Sequence, residues 1–322
     1  MLMETNFEFQ MPKNQSSVIK VLGVGGGGSN AVNYMFENGI KGVDFVVCNT
    51  DSQALEASPV PVKIQLGAEL TEGLGAGSNP ETGEKAAQES IDKVSELLDS
   101  NTKMLFITAG MGGGTGTGAA PVIAEVAREK GILTVGVVTN PFSTEGGYRK
   151  QYAKEGLEKL RKYVDTLLII NNDKLIEVYG DLTLSQAFGK ANEVLNTATK
   201  GIAEVISQHL LVNIDLNDAR KVLENSGTAV MGQSEARGEN RAVEAVIGAL
   251  DSPLLNDNDI SGAQQVLLKI VTGSGDDEIK MSELDKIKNK IQEAAGNNVN
   301  IIEGVGIDAE LTDSVSVTVI AT

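Results

Sequence analysis

Residues 110–118 read Gly-Met-Gly-Gly-Gly-Thr-Gly-Thr-Gly, so six of nine consecutive residues are glycine. This run follows the apolar, strand-like residues 104–108 and precedes a helical pattern that is expected to begin near Ala119. A tight turn needs few glycines, and each further one costs backbone entropy on folding. Backbone N–H groups gathered at a strand-to-helix junction bind anions well. The run therefore predicts a phosphate-binding loop.

A second glycine-rich run occupies residues 23–30, between a strand-like segment and a helical pattern that is expected to begin near Ala31. Its glycines at 23, 25 and 28 also satisfy the dinucleotide-binding pattern, with acidic residues downstream. A dinucleotide-dependent oxidoreductase is therefore one alternative, and a monomeric nucleotide-binding regulator is another. Two loops on neighbouring strands can hold a triphosphate from both sides, whereas a dinucleotide usually needs one. The pair favours a nucleoside triphosphate.

Both loops lack the Gly-Lys-Ser/Thr ending of the P-loop, so neither supplies a lysine to the phosphates. Backbone dipoles and a metal ion must then neutralise the phosphate charge. Mg²⁺ that bridges phosphate oxygens and keeps most of its water shell is the expected ion. No side-chain metal ligands are predicted.

Composition limits the partners and the compartment. The chain has 322 residues, 41% of them hydrophobic, which is enough for two domain-sized cores. A formal net charge of -17 repels polyanions, so neither nucleic acid nor direct membrane binding is expected. The single cysteine, Cys48, lies in an apolar run and is expected to be buried. Without a secretory signal pattern or an apolar stretch of roughly 18 residues, a cytoplasmic protein is expected.

Apolar, β-rich segments alternate with helical ones through the first half of the chain. This alternation predicts a parallel sheet covered by helices on both faces. Ligand-binding loops are then expected at the carboxyl ends of the strands. The expected strands are residues 18–24, 43–48, 104–108, 133–138 and 164–170.

Residues 184–210 carry apolar side chains at spacings mostly of three or four, which predicts one long helix. The helix is expected to join the first domain to a smaller α+β unit. That unit should contain loops and strands in residues 227–238, strands at 266–272, 299–304 and 315–320, and helices near 241–250 and 282–295. The expected divisions are a flexible tail (1–17), a nucleotide-binding domain (18–183), the central helix (184–211) and a C-terminal domain (212–322).

Several short motifs carry a family resemblance. They are Asn49-Thr50-Asp51, residues 75–80, Thr139-Asn140-Pro141-Phe142, residues 172–175 and residues 213–218. Together with residues 112–118, which look like the tubulin signature loop, they resemble the FtsZ family of bacterial tubulin-like division GTPases over residues 18–322. The resemblance implies an α/β, tubulin-like fold with a Rossmann-type parallel-sheet domain, a long central helix and a smaller α+β domain. It also implies GTP as the nucleotide, hydrolysed to GDP and phosphate.

The resemblance assigns roles to particular residues. Glu145 and Arg149 match ribose and phosphate contacts, although their spacing alone also fits an ordinary ion pair on a helix. Asn172, Phe188 and the Asn192-Glu193 pair match the guanine pocket, where the aromatic ring stacks on the base and the acid accepts from its N1 and N2 donors. Better-known family members carry Asp where Glu193 stands, and Phe188 by itself also fits a core aromatic. The phosphate-binding loop residues are Gly25, Gly26, Gly27, Gly28, Ser29, Asn30, Gly112, Gly113, Gly114, Thr115, Gly116, Thr117 and Gly118.

The long helix separates the nucleotide from a group of polar residues. Glu193 lies near its start, whereas Asn213, Asp215 and Asp218 follow its end. At 1.5 Å per residue, twenty residues of helix correspond to roughly 30 Å. Such carboxylates cannot orient a water at the γ-phosphate of their own chain, but they could reach a nucleotide on the next subunit. We therefore expect head-to-tail stacking, with these three residues as the catalytic set or, alternatively, as caps of the following helix.

The resemblance further implies a cytoskeletal protein that forms the bacterial division ring in the cytoplasm at midcell. Its GTPase activity is expected to depend on assembly. The expected partners are other copies of the chain and division adaptor proteins. Family members bind the adaptors through a C-terminal peptide that is expected to be absent from this chain.

Overall fold

The computed structural model describes residues 17–99, 101–207, 211–212, 214–251 and 260–322. Apart from Ser17, the expected N-terminal tail lies outside the described residues, and so does Asn213. The described residues form a seven-stranded sheet and a separate four-stranded sheet, both accompanied by helices. The predicted α/β fold class is therefore confirmed.

All strands of the first sheet are parallel, so their carboxyl ends meet at one edge. The two glycine-rich runs follow β1 and β4, which are neighbours in the order β3-β2-β1-β4-β5-β6-β7. The strands are β1 (Ile19–Val24), β2 (Asp44–Asn49), β3 (Val62–Gln65), β4 (Met104–Gly110), β5 (Leu133–Asn140), β6 (Thr166–Asn171) and β7 (Gly227–Thr228).

Helices cover both faces of this sheet. A 24-residue helix, α9 (Leu184–Ser207), follows β6 and the short helix α8 (Asn172–Tyr179). The helices are α1 (Gly25–Glu37), α2 (Ser52–Ala57), α3 (Ala68–Thr71), α4 (Pro80–Glu89), α5 (Ile91–Asp99), α6 (Thr115–Glu129), α7 (Gly147–Leu160), α8 (Asn172–Tyr179), α9 (Leu184–Ser207) and α10 (Leu216–Leu223), with a 3₁₀ turn at Ser143–Glu145.

The second sheet is mixed, because its β10 and β9 are parallel whereas β11 runs antiparallel to β9 and β8. Its order is β10-β9-β11-β8, and two longer helices cover it. The elements are β8 (Val230–Ala236), α11 (Arg241–Leu250), β9 (Gln265–Thr272), α12 (Met281–Ala295), β10 (Asn300–Ile307) and β11 (Val315–Ala321), with 3₁₀ turns at Gly275–Asp277 and Ala309–Leu311.

Three details differ from the sequence predictions. Helices α1 and α6 begin at Gly25 and Thr115, inside the glycine-rich runs, and not near Ala31 and Ala119. The predictions missed β3, a four-residue edge strand whose first residue is exposed. Strand β7 completes the first sheet although it follows α9 in sequence.

Three buried apolar clusters hold the fold together. One lies between the first sheet and α1, α9 and α10, and it reaches Leu267 and Ile320 of the second sheet. Another fills the opposite face of the first sheet, and a third lies under α11 and α12. Because α9 packs against both sheets, it couples the two units. Among the described residues, no helix combines the length and apolarity needed to cross a membrane.

Candidate nucleotide-binding site

A cavity of about 400 Å³ opens where β1, β4 and β5 end and α9 begins. Both glycine-rich runs contribute to it, as expected for loops on adjacent parallel strands. It is lined by Gly26, Gly27, Asn30, Gly110, Met111, Gly113, Gly114, Thr115, Gly116, Thr139, Pro141, Glu145, Arg149, Asn172, Phe188, Ala191, Asn192 and Leu195.

The glycines of the two runs do different things. A Cβ placed on Gly26 or Gly113 would meet no protein atom within 4 Å, so these backbones stand open to the cavity. By contrast, a Cβ on Gly28 would lie 2.2 Å from the Thr108 carbonyl oxygen, and one on Gly118 would lie 2.0 Å from that of Pro80. Those two glycines allow close packing of the backbone. The predicted loop residues that do not line the cavity are Gly25, Gly28, Ser29, Gly112, Thr117 and Gly118.

Hydroxyl groups fix the second loop in place. The Gly112 backbone N–H donates to Thr117 Oγ1 at 2.8 Å, which closes the loop onto the first turn of α6. Gly112 has a φ of +99°, a conformation that favours glycine. Thr115 Oγ1 lies 2.7 Å from Thr50 Oγ1, so the loop is also tied to the end of β2. These two contacts anchor the second loop to α6 and to the end of β2.

Glu145 and Arg149 both line the cavity and also pair with each other. Arg149 Nη1 donates to Glu145 Oε2 at 2.6 Å, and Glu145 Oε1 accepts from the Phe142 backbone N–H at 2.9 Å. The ion pair that the spacing allowed is present, and it lies on the cavity wall. Arg149 is held over the cavity mouth by its partner, with 47% of its side chain exposed.

The far end of the cavity is formed by Asn172 and by one face of α9. Asn172 is buried, and its Oδ1 atom has no hydrogen-bond partner. A buried, unpaired carboxamide oxygen is costly unless a ligand satisfies it. The Phe188 ring is 44% exposed and packs edge-on against Phe142 with ring centroids 5.4 Å apart. Phe188 is thus a wall of the cavity and not a core aromatic.

The structure does not bring both members of the Asn192-Glu193 pair to the cavity. Successive helix residues point about 100° apart, so only one of them can face it. Asn192 lines the cavity, whereas Glu193 accepts from Lys190 Nζ at 2.6 Å on the helix surface. The acid expected to read the base therefore lies outside the cavity, and a carboxamide occupies that position.

Sequence reasoning did not assign Thr139, Pro141, Ala191 or Leu195 to the site. Thr139 and Pro141 follow from the position of β5, whose end meets the same sheet edge as β1 and β4. The α9 residues have a usable signal, because positions 188, 191, 192 and 195 recur at the spacing of one helix face. Met111 and Gly110 belong to the loop itself.

Side chains supply little net charge at the cavity. Arg149 is its lining cation and Glu145 its lining anion, and the two are paired. Within the part of the chain that the structure describes, no three His, Cys, Asp or Glu side chains cluster as metal ligands. Backbone N–H groups of the loops therefore dominate the local field.

Helix α9 leads away from the cavity to the opposite edge of the first sheet. Leu195 is the last residue along α9 that lines the cavity, and Ser207 lies twelve residues further, about 18 Å at 1.5 Å per residue. Ser207 Oγ donates to the Lys41 carbonyl at 3.1 Å, just before β2 begins. The end of α9 thus lies at the amino ends of the strands.

Asp215 and Asp218 follow this end of α9. Asp215 Oδ1 accepts from the Asp218 backbone N–H at 2.8 Å and caps α10. The other end of α10 is also anchored at the amino edge, because the first residue of β6, Thr166, donates its hydroxyl to the Leu223 carbonyl. Asp215 is exposed, and neither acid is among the residues that line the cavity. The capping alternative therefore holds for Asp215, whereas Asp218 lies within α10. The cavity lies elsewhere.

Two protein-family models match this chain. The model of the Tubulin/FtsZ family, GTPase domain, matches residues 18–180, and that of the FtsZ family, C-terminal domain, matches residues 227–322. The cell division protein FtsZ of Coxiella burnetii is 47% identical over 317 residues, covering 98% of this chain and 81% of that protein. The cell division protein FtsZ of Wigglesworthia glossinidia brevipalpis is 46% identical over 307 residues, covering 95% of this chain and 79% of that protein.

The fold has close counterparts among solved structures. An FtsZ dimer from M. jannaschii, solved empty, superposes with a TM-score of 0.87 at 41% sequence identity. The match covers 96% of this chain and 88% of that one. Sequence, family models and fold agree over both sheets, so the chain belongs to the FtsZ family of tubulin-like GTPases.

Proposed function

We propose that this chain binds and hydrolyses GTP in a head-to-tail polymer whose active site is completed by the next subunit. The observation that supports this proposal most directly is a separation. The cavity lies at one end of α9 and one edge of the first sheet, whereas Asp215 and Asp218 lie at the other end and the opposite edge. Neither end has a complete catalytic set by itself. A polymer with one orientation throughout would bring the two ends together at every contact.

The cavity is suited to a guanine nucleotide. Backbone N–H groups of the two glycine loops would bind the phosphates, and Arg149, positioned by Glu145, would contact phosphate and ribose. The unpaired Oδ1 of Asn172 offers an acceptor for the N–H donors of guanine, and Asn192 offers a second carboxamide beside it. Phe188 presents an exposed ring for stacking.

Mg²⁺ fits the donor set of this cavity. A triphosphate brings several negative charges, whereas Arg149 is the lining cation and is already paired. When bound, Mg²⁺ would neutralise charge on the phosphate oxygens and keep most of its water shell. The glycine-loop N–H groups would hold the triphosphate in place and stabilise the charge that develops on the transferred phosphoryl group.

Asp215 and Asp218 of the neighbouring subunit would orient the attacking water, with Asn213 assigned to the same set by the family resemblance. Phosphoryl transfer depends mainly on positioning and on stabilising charge, so exposed carboxylates suffice for this role. Asp215 is held by its cap at the start of α10, which presents a fixed carboxylate. Capping and water positioning are therefore compatible.

The subunit has two poles, the end with the candidate cavity and the end with Asp215 and Asp218. Exposed apolar side chains at both poles support the polymer. At the cavity end, Leu74 (84% exposed) pairs with Asp51 just after β2, Tyr148 (83%) precedes Arg149, and Leu184 (73%) begins α9. At the other end, Leu211 (70%) follows α9, and Met281 (74%) begins α12. Exposed apolar side chains at both ends are compatible with a heterologous, open-ended contact. The related M. jannaschii protein was solved as a dimer.

By family membership we extend the proposal to the cell. The polymer would form the division ring in the cytoplasm at midcell, as the relatives' name, cell division protein, indicates for them. Division adaptor proteins would be its partners. Other copies of the chain are the partners that the two poles support directly.

The test is GTP turnover per subunit measured against protein concentration, with Mg²⁺ and at fixed salt. The proposal predicts a critical concentration below which turnover is close to zero and above which it rises with the sedimented fraction. GDP should give no pellet. Turnover per subunit that stays constant on dilution would contradict the polymer-dependent site, although GTP binding would still stand.

A further inference from the structure

A basic groove lies directly beside the candidate nucleotide cavity and shares Pro141 with it. The groove has a volume of about 430 Å³. One wall is α7, where Lys150, Lys154, Glu158 and Arg161 are spaced to face the same way. With Asp173 on the other wall, three cations and two carboxylates line the groove. The other wall is formed by the paired strand ends of β5 and β6 and the start of α8.

Two of the three cations in this groove carry no carboxylate partner among the described residues. Lys150 is occupied, because its Nζ donates to Ser143 Oγ at 2.6 Å and lies 3.8 Å from Asp173 Oδ2. Lys154 and Arg161 make no ion pair with another described residue, and both are exposed. On a chain with a net charge of -17, this concave site is locally positive, because among the described residues its two unpaired cations outnumber the one unpaired carboxylate, Glu158.

The groove is rigid where it meets the nucleotide cavity. Burial of Asp173 opposes its ionisation, but hydrogen bonds from Ser143 and the charge of Lys150 outweigh burial and lower the pKa of Asp173. The Ser143 backbone N–H donates to Asp173 Oδ1 at 2.7 Å, which ties the turn after β5 to α8. Since Lys150 and Asp173 satisfy each other, an anion entering the groove would meet the two cations Lys154 and Arg161 and one opposing carboxylate, Glu158.

An acidic turn of opposite charge follows β9. Asp276, Asp277 and Glu278 are consecutive and exposed, and they make no ion pair with another described residue within 4.0 Å. Arg241 fixes the turn by donating to the backbone carbonyls of Asp277 and Glu278 at 3.0 Å and 3.1 Å. The three carboxylates are thus displayed from a preformed backbone.

The acidic turn lies at the pole opposite the basic groove. It follows Thr272, which pairs with Ile307 at the end of β10. Ile307 shares a cleft with Gly39 and Lys41, the loop before β2 at the amino edge of the first sheet. The groove, by contrast, lies at the carboxyl edge, beside the ends of β5 and β6.

We propose that the acidic turn of one copy docks in the basic groove of the next copy. The inference rests on the proposed head-to-tail polymer and adds the charge contact that sets its register. Opposite charge at the two poles would let unlike ends attract, while like ends repel. Asp215 of the incoming copy would be guided towards the nucleotide because the groove and the cavity adjoin. A second copy is the occupant, since the chain itself carries the complementary charge at the required pole.

The test is a charge exchange. One variant, Lys154→Glu with Arg161→Glu, reverses the groove, and another, Asp276→Lys with Asp277→Lys, reverses the turn. Each alone should raise the critical concentration for GTP turnover and sedimentation at least about tenfold, while GTP affinity stays unchanged. An equimolar mixture should restore assembly, because both contacts of an alternating polymer then pair opposite charges.

A matched control is Lys85→Glu with Lys93→Glu, which changes the net charge equally on α4 and α5 and should assemble normally. Single variants with the wild-type critical concentration would overturn the proposal, and so would impaired variants that the mixture does not restore. The groove would be a small-anion site instead if two results were found together. The GDP-loaded wild-type chain would bind pyrophosphate while the groove variant does not, and the groove variant would assemble normally. A wild-type chain without a critical concentration would contradict the proposed polymer itself, a different result from failure of the variants alone.

Discussion

Arg241 binds both carboxylate oxygens of Glu283, with Nε 2.8 Å from Oε1 and Nη2 3.1 Å from Oε2. The same guanidinium donates to the backbone carbonyls of Asp277, Glu278 and Asp313. Both side chains are largely buried, at 8% and 12% exposure. This one residue therefore joins α11, α12 and two loops of the second sheet.

Glu283→Gln should destabilise the chain by about 2 to 4 kcal/mol at pH 7, because it leaves a buried guanidinium without its charge partner. Urea unfolding followed by circular dichroism measures the change. The control is Glu293→Gln on the same helix, which breaks an exposed pair with Lys290 and should cost less than about 1 kcal/mol. Equal losses in the two variants would contradict the role given to Arg241.

The same pair predicts a pH dependence. The hydrogen bond from Arg241 lowers the pKa of Glu283 below its ordinary value of 4.5, although burial opposes the shift. A lowered folded-state pKa means that the stabilisation is complete above about pH 4.5 and is lost as the pH falls below it. The stability difference between wild type and Glu283→Gln should therefore shrink between pH 6 and pH 3. A difference that grows over that range would have the wrong sign.

Asn172→Ala should weaken GTP binding by about ten- to a hundredfold while leaving the nucleotide-free chain as stable as before. The reason is that Asn172 Oδ1 has no partner in the free protein, so its removal costs only ligand contacts. Affinity is measured by titration with a fluorescent GTP analogue. Thr102→Val removes another buried, unpaired oxygen away from the cavity and should leave affinity unchanged. If Asn172→Ala keeps full affinity, the base lies elsewhere.

Two glycines of the second loop should respond differently to the same substitution. Gly113→Ala should fold normally but bind nucleotide weakly, because the new methyl group projects into open space at the cavity wall. Gly118→Ala should destabilise folding by about 3 kcal/mol or more, because its Cβ would lie 2.0 Å from the Pro80 carbonyl oxygen. Melting temperatures and GTP affinities separate the two effects. Reversed behaviour would mean that Gly118 contacts the phosphate.

The sequence allowed the phosphate loops to be placed because their glycine content is unusual and because helix-strand alternation predicts a parallel sheet with its ligand loops at one edge. It did not show which glycines face the ligand and which permit packing, since both uses need the same residue. Likewise, the choice between Asn192 and Glu193 depends on the rotation of α9, which the apolar stripe defines too broadly. Edge strand β3 was missed because four half-exposed residues carry no strong pattern.

The length of α9 predicted that the acids lie far from the glycine-rich loops, and in the structure Asp215 and Asp218 lie away from the candidate cavity, but the distance was not predictable. The distance of roughly 30 Å assumed that twenty residues after Glu193 are helical. In the described structure α9 ends at Ser207, fourteen residues after Glu193. Beyond Ser207, Val212 pairs with Val305 of β10 in the second sheet. Such tertiary pairing has no local sequence signal.

Complementation between two inactive variants tests the central claim most directly. Asp215→Ala keeps its nucleotide site but lacks a water-positioning acid, and Gly113→Asp keeps the acid but repels phosphate. Random equimolar copolymers should recover about a quarter of wild-type GTP turnover, because a quarter of the contacts then join an intact cavity to an intact Asp215. Labelled subunits confirm that both variants enter the pellet. Copolymers that sediment together yet show no more turnover than the separate variants would contradict an active site shared between subunits.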